Sequence, residues 1–255
     1  SFVLEKSNKV PDAITESIYR KVDHDSLQGL EWLKKEVNNL AKEYKFFHWH
    51  LRFPEVHEQG GFDLILGNPP WEKVELLQRE WFSARSPKWM ATSAGENKRD
   101  FLKKLQNEDF SLYSEFIRAV RRVDGERSFI KNSGLYKLCG KGRINQYSAF
   151  AELNQNILNS QGLIGCILPP GIATDDSTKE FIQSIIKRDM LRSFYAFTNR
   201  GYIFREIEST LSFALVSWGF IGKDTPKIAA QVWQVEHLQD QNRVYSLTPN
   251  EISLL

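Results

Sequence analysis

Residues 62–71, Phe-Asp-Leu-Ile-Leu-Gly-Asn-Pro-Pro-Trp, constrain this chain more than any other stretch. An apolar run carrying one acid and ending in glycine predicts a short buried strand of an α/β sheet, delivering its C-terminal tip to a site. Two consecutive prolines follow. Each lacks an N–H and holds φ near about −65°, so the turn is stiff, and the Asn68 amide and its neighbouring carbonyls point in fixed directions. Trp71 sets an aromatic face beside them.

A stiff turn of acceptors beside an aromatic ring suits a flat heterocycle bearing an amino group. An exocyclic amine conjugated to a purine is a poor nucleophile, because its lone pair is delocalised into the ring. If the Asn68 side-chain oxygen and the Pro69 carbonyl each accept one N–H, the nitrogen is drawn toward sp³ and its lone pair is aimed at an incoming methyl group. Pro70 shapes the turn. Trp71 supplies a surface on which an extruded base can stack. The bland alternative is a turn that merely ends a strand.

The stretch resembles motif IV of the adenine-N6 DNA methyltransferases: Asn or Asp, Pro, Pro, then an aromatic residue. Phe47-His48-Trp49-His50, Phe53-Pro54-Glu55-Val56 and Gly60-Gly61-Phe62-Asp63 resemble the large gamma-order enzymes of fused restriction–modification proteins and phage-defence systems. Ser133-Gly134-Leu135-Tyr136 and Gly140-Lys141-Gly142-Arg143-Ile144-Asn145 are similar to the same family, as is Gly162–Pro170, its motif VI strand. Phe197–Phe204 resembles the loop in which an aromatic contacts the target base, with Phe204 the better positional match and Tyr202 the second.

The resemblance implies a partial Rossmann-like sheet, the C-terminal half of an S-adenosylmethionine-dependent methyltransferase, with double-stranded DNA as partner. In the gamma order the glycine-rich cofactor turn and its acidic residue precede motif IV. No Phe-x-Gly-x-Gly occurs in residues 1–61. The resemblance therefore implies a fragment whose main cofactor site lies upstream of residue 1, inactive without the remainder of the parent polypeptide. Glutamine methyltransferases acting on proteins and some RNA enzymes share motif IV, so those substrates stay open, as does a non-catalytic DNA-binding or assembly module.

Elsewhere the sequence predicts a helical segment over 1–45, a catalytic part over 46–222 with a helical insertion at 72–160, and the start of a C-terminal extension over 223–255. Ile14, Ile18, Val22, Leu27, Leu30, Leu33, Val37 and Leu40 recur at helical spacing, with Pro11 and Asp12 opening the first helix. His48 and His50 are placed on one face of a strand near Glu55 and His57. A metal site there is weighed and set aside, because aromatic residues interleaved with histidine are commonly packed edges. In the insertion Pro87 breaks or begins a helix, and the whole region is a cover or a lid.

From Arg118 to Arg143, eight basic residues stand against Asp124 and Glu126, a net +6 in a stretch read as loop-rich. Arg118, Arg121, Arg122, Lys141 and Arg143 are the candidates for DNA phosphates. A helix over 147–159, a strand from Gly162 to Pro170, a helix over 174–187 capped by Asp175, Asp176 or Ser177, and strands over 191–197 and 210–220 complete the α/β pattern. At 255 residues and 41% hydrophobic, the chain can bury a substantial core, and a net charge of +2 excludes little. Cys139 and Cys166 lack metal-type spacing, which fits a reducing cytoplasm. No apolar stretch has spanning length, so no membrane association is expected.

Overall fold

The computed structural model describes residues 16–24, 28–93, 98–220 and 225–252; the Pro11–Asp12 helix start, Ile14 and Leu27 lie outside them. Two compact units divide the chain, residues 1–59 and 60–255.

In the first unit, α1 (Glu16–Asp23) and α2 (Glu31–Tyr44) bury Ile18, Leu30 and Leu33 against Trp32. Val22 and Val37 from the predicted stripe remain exposed, so only part of it is core. The left-handed Lys45 (φ 49°) closes α2, its N–H returning to the Ala41 carbonyl. Two short helices follow, α3 (Trp49–Arg52) and α4 (Pro54–Glu58), where a strand was expected. Pro54 begins α4 because a helix's first N–H needs no partner. His48, His50 and His57 therefore share no strand face. Their ring centroids lie 5.9 Å (48–50) and 6.1 Å (50–57) apart, and among the described residues no group of three or more His, Cys, Asp or Glu is arranged to hold a metal ion.

The second unit is built on a six-stranded mixed sheet: β1 (Phe62–Gly67), β2 (Leu158–Leu168), β3 (Leu191–Thr198), β4 (Ser212–Gly219), β5 (Lys227–Val232) and β6 (Val244–Ser246). Their spatial order is β1-β2-β4-β3-β5-β6. β1 runs parallel to β2, and β4 lies antiparallel between β2 and β3. β1 is an edge strand, contrary to the buried strand expected from its apolar run. Among the described residues it pairs on one side only, with Leu64 54% and Leu66 72% exposed. Gly61 (φ +122°) makes this entry possible, since a Cβ there would stand 2.5 Å from the Ile157 carbonyl oxygen.

Between β1 and β2 come α5 (Gln78–Ser83), α6 (Pro87–Ser93), α7 (Lys98–Glu108), α8 (Phe110–Asn132) and α9 (Gln146–Ile157). The first four make a core of their own from Trp81, Phe82, Trp89, Phe101, Leu105 and Phe116. Phe82 and Phe101 meet edge to face at 5.2 Å, and burial of each such ring contributes about 1.5–3 kcal/mol. Pro87 starts α6, and the Asp109 carboxylate caps α8 by accepting from the Leu112 N–H at 3.0 Å. The stretch read as loop-rich is helical as far as Asn132; Gly125 sits inside α8 because the surrounding residues keep helical periodicity across it.

After β2 stand α10 (Gly171–Thr174) and α11 (Lys179–Lys187), and α12 (Pro249–Ile252) follows β6. Phe181, Ile182, Ile185 and Ile186 form the apolar stripe of α11 as expected. The expected side-chain cap is absent: a 3₁₀ turn at Asp176–Thr178 leads into the helix, and the Asp175 carboxylate accepts instead from the Tyr147 hydroxyl at 3.2 Å. The sheet's core gathers Ile164, Cys166, Leu168, Val216 and Trp218 with Phe181 and Ile185. Among the described residues no helix is long and apolar enough to cross a membrane.

Candidate functional site

Strand register brings three turns to one end of the sheet. Gly67 lies opposite Cys166 in the parallel pair, Leu168 opposite Ala214, and Thr198 opposite Ser212. The Asn68–Trp71 turn, the Pro169–Pro170 turn and the loop over 199–211 therefore leave the sheet from the same end. This is where an α/β sheet places its ligands.

Within the first turn Pro69 is buried while Asn68 and Pro70 are exposed. The Asn68 side-chain amide has no hydrogen-bond partner among the described residues. Trp71 packs partly against the sheet core and partly against the cluster of Phe197, Phe213, Ala229 and Val232. Its indole Nε1 is buried without a hydrogen-bond partner. The indole Nε1 of Trp218, in the sheet core, is buried in the same way.

The chain leaving this turn is pinned. Val74 N–H donates to the Ile144 carbonyl (3.0 Å) and Gln146 N–H to the Glu72 carbonyl (2.9 Å), with Lys73 and Asn145 forming an antiparallel bridge. The Val74 carbonyl accepts from Arg127 Nε (3.2 Å) and Nη2 (2.9 Å). The Gly-Lys-Gly-Arg-Ile-Asn stretch thus serves first as the strut of the Asn68–Trp71 turn. An open cavity of about 690 Å³ adjoins it, lined by Lys73, Lys141, Arg143, Asn145, Asp175 and Asp176 among others.

The basic residues divide by what they touch. Arg127 is committed to the Val74 carbonyl and to Asp124, so it is structural. Arg118, Arg121 and Arg122 are exposed on α8, spaced three and four apart and hence on one face. Lys141 pairs with Glu180 at 2.6 Å and Arg143 with Glu75 at 3.2 Å. Ion pairs this exposed are worth about 0–1 kcal/mol and exchange readily for other anions.

In the loop that follows β3, Phe204 is 38% exposed and sets its ring 5.2 Å from Phe213, at 68°. Phe213 stacks on Phe197 at 5.1 Å, and Trp71 packs on the same cluster. Trp71 and Phe204 are therefore brought to one aromatic cluster. Tyr202 is 60% exposed in a left-handed conformation (φ 50°). Gly201 permits this loop to close, because a Cβ there would stand 1.9 Å from the Trp233 carbonyl oxygen.

Two supporting groups escape sequence reasoning. Glu152, 3% exposed in α9, accepts from the Leu138 N–H (3.0 Å) and the Cys139 N–H (2.7 Å), holding the segment that precedes the strut. Asn199, fully buried, bonds the backbone of the loop that carries Phe204. Both are polar residues in otherwise ordinary helix or strand-end text, and only the fold shows their partners. Burial first, then Glu152, pushes the Cys139 thiol upward; burial likewise pushes the Cys166 thiol up to about 11, so neither is a nucleophile at neutral pH. Burial and Asp175 also raise the Tyr147 hydroxyl.

The chain matches known proteins in part. A comparison with curated proteins found no match. Among solved structures, similar chains include the type I restriction-modification methyltransferase subunit of Streptococcus thermophilus (TM-score 0.38, 10% identity, 50% of this chain and 32% of that one). Others are a protein of Listeria monocytogenes described as a class I S-adenosylmethionine-dependent methyltransferase (0.35, 9%, 71% and 40%) and the DrdV–DNA complex (0.38, 12%, 71% and 16%). The chain thus spans less than half the length of each of these structures. In sequence, residues 4–130, which include the Asn68–Trp71 turn and most of the helical insertion, match the family described as Eco57I restriction-modification methylase.

Proposed function

We propose that this chain is the target-base part of a restriction–modification DNA methyltransferase that acts on adenine N6. The observation that carries the reading is the turn itself. An exposed, uncommitted Asn68 amide follows an α/β strand, two prolines fix it, and the aromatic cluster under Trp71 also receives Phe204. The match of residues 4–130 to a restriction-modification methylase family supports the reaction class.

Each of this chain's residues then has a task. The Asn68 side-chain oxygen and the Pro69 carbonyl accept the two N–H bonds of the adenine amine and hold its lone pair out of conjugation. Trp71 and Phe204 hold the extruded base between aromatic surfaces, a contact that tolerates little slippage. Arg118 and Arg121, with Arg122, Lys141 and Arg143 once their own partners are displaced, bind phosphates and fix register without reading sequence. S-adenosylmethionine, when bound, supplies the activated methyl group. Among the described residues the first strand is β1, and no glycine-rich strand-to-helix turn precedes it, so no residue here is assigned to the cofactor.

The test is an acceptor comparison. The full protein is incubated with methyl-labelled S-adenosylmethionine and, in parallel, duplex DNA, RNA and cellular protein. Label in DNA alone is expected. Label in protein glutamine or in RNA would keep the turn's chemistry and replace the substrate.

A further inference from the structure

Asn199 follows β3 and is fully buried, and its side-chain amide bonds backbone groups of the loop that comes next. Its Oδ1 accepts from the Phe204 N–H at 3.0 Å, and its Nδ2 donates to the Phe204 carbonyl at 2.9 Å. The amide therefore grips both polar groups of one residue, as a neighbouring strand would. The second Nδ2 hydrogen goes to the Ile207 carbonyl at 2.8 Å, with a longer contact to Glu208 at 3.4 Å. Asn199 N–H also receives the far end of the loop, donating to the Leu211 carbonyl at 2.9 Å.

Each feature narrows the role. A surface loop with ordinary turn chemistry would satisfy its backbone with water. This one is tied to a buried amide whose donors and acceptor are all used, so the loop has one backbone path rather than several. Phe204 is gripped at both N–H and carbonyl, and its ring is held edge-on by Phe213. Gly201 lets the loop lie against the Trp233 carbonyl, where a Cβ would stand 1.9 Å from its oxygen. The loop's apolar side chains nonetheless stay in solvent: Tyr202, Ile203, Phe204 and Ile207 are 36–60% exposed. A rigid backbone displaying exposed aromatic groups is an arrangement for contact, since burial does not explain it.

We infer that Asn199 is the positioning residue for Phe204, fixing the aromatic wall against which the target adenine is held; this rests on the function proposed above. Asn199 touches no substrate. Its amide sets where the Phe204 ring stands relative to Trp71, and a wall displaced by a fraction of an ångström weakens the transition state more than the encounter with DNA.

The test uses the full protein with Asn199→Asp, which is isosteric and keeps the acceptor for the Phe204 N–H but sets a carboxylate against the Phe204 and Ile207 carbonyls. Ser217→Ala, which removes the Ser193–Ser217 hydrogen bond (2.6 Å) elsewhere in the sheet, is the control for general loss of stability. Asn199→Asp is expected to lower kcat by about 10–100-fold with KM for DNA changed by less than about threefold, while Ser217→Ala leaves both near wild type. A 4-fluorophenylalanine at position 204, read by ¹⁹F NMR, should give one sharp resonance in the wild type and a shifted, averaged one in Asn199→Asp. An unchanged ¹⁹F signal overturns the positioning role whatever the activity shows, and so does a kcat equal to that of the Ser217→Ala control. If the ¹⁹F signal changes but the wild type methylates no adenine, the proposed reaction falls and the clamp on Phe204 stands.

Discussion

Two asparagines stand at the same end of the sheet and behave in opposite ways. Asn68 is exposed, with an amide that bonds nothing among the described residues; Asn199 is fully buried, with every donor and acceptor of its amide engaged. The same side chain is thus left open in one place and saturated in the other. An open polar group is available to a ligand and adds little to the fold. A saturated one holds the fold, and its removal strands buried partners. The cations repeat the contrast, since Arg127 is committed to the Val74 carbonyl while Arg118 and Arg121 project from α8.

The sharpest way to break this comparison is to delete the open amide. Asn68→Ala should lower methyl transfer by roughly 100-fold or more, with the melting temperature moved by less than about 2 °C. Single-turnover assays beside calorimetry measure both. A large loss of stability would put Asn68 among the saturated groups.

Removing a saturated group should do the reverse. Glu152→Ala leaves the Leu138 and Cys139 N–H groups without their acceptor, and should cost about 2–4 kcal/mol in urea denaturation. A cost below about 0.5 kcal/mol would show that this carboxylate does not hold the segment.

The next effect is in pH. The Cys166 thiol is raised from 9.0 to about 11 by burial, so the folded state holds its proton more tightly than the unfolded chain. Its contribution to stability is complete below pH 9.0 and is lost as pH rises to about 11, an effect on the order of 2–3 kcal/mol. Cys166→Ala should flatten that part of the stability profile; an unchanged alkaline loss would assign it to other groups.

Smallest of all is the response of the exposed cations. Arg118→Gln or Arg121→Gln should each weaken DNA binding alike across sequences and lower the salt slope by about one. Filter binding across a salt series shows this, and an unaltered slope would remove α8 from the DNA-binding face.

Much of this architecture was legible in the residues. Strand β1, β2 from Gly162 onward, the turn between Gly67 and Trp71, and the α11 stripe are local patterns, in which apolar spacing and proline chemistry act within a few residues of themselves. The helix expected over 147–159 instead ends at Ile157, and β2 begins at Leu158 because its pairing with β1 extends back to Phe62. That β1 has one strand neighbour among the described residues was not legible, because its apolar run reads alike whether one neighbour or two lie beside it. The tally of positive charge from Arg118 to Arg143 concealed that Arg127 is a strut and that Lys141 and Arg143 carry carboxylate partners. Asn199 and Phe204 are five residues apart, yet nothing in the text between them announces an amide gripping a peptide group. Pairings made through the folded chain are where composition stops informing.

The central claim is that the open Asn68 amide holds an adenine amine for methylation, and one measurement tests it most directly. The full protein and its Asn68→Ala variant are given labelled S-adenosylmethionine and duplex DNA, and the DNA is digested to nucleosides for mass spectrometry. Labelled N6-methyladenine from the wild type, lost in the variant, is the result predicted. Equal N6-methyladenine from both proteins, or DNA left unlabelled by the wild type, would contradict the account.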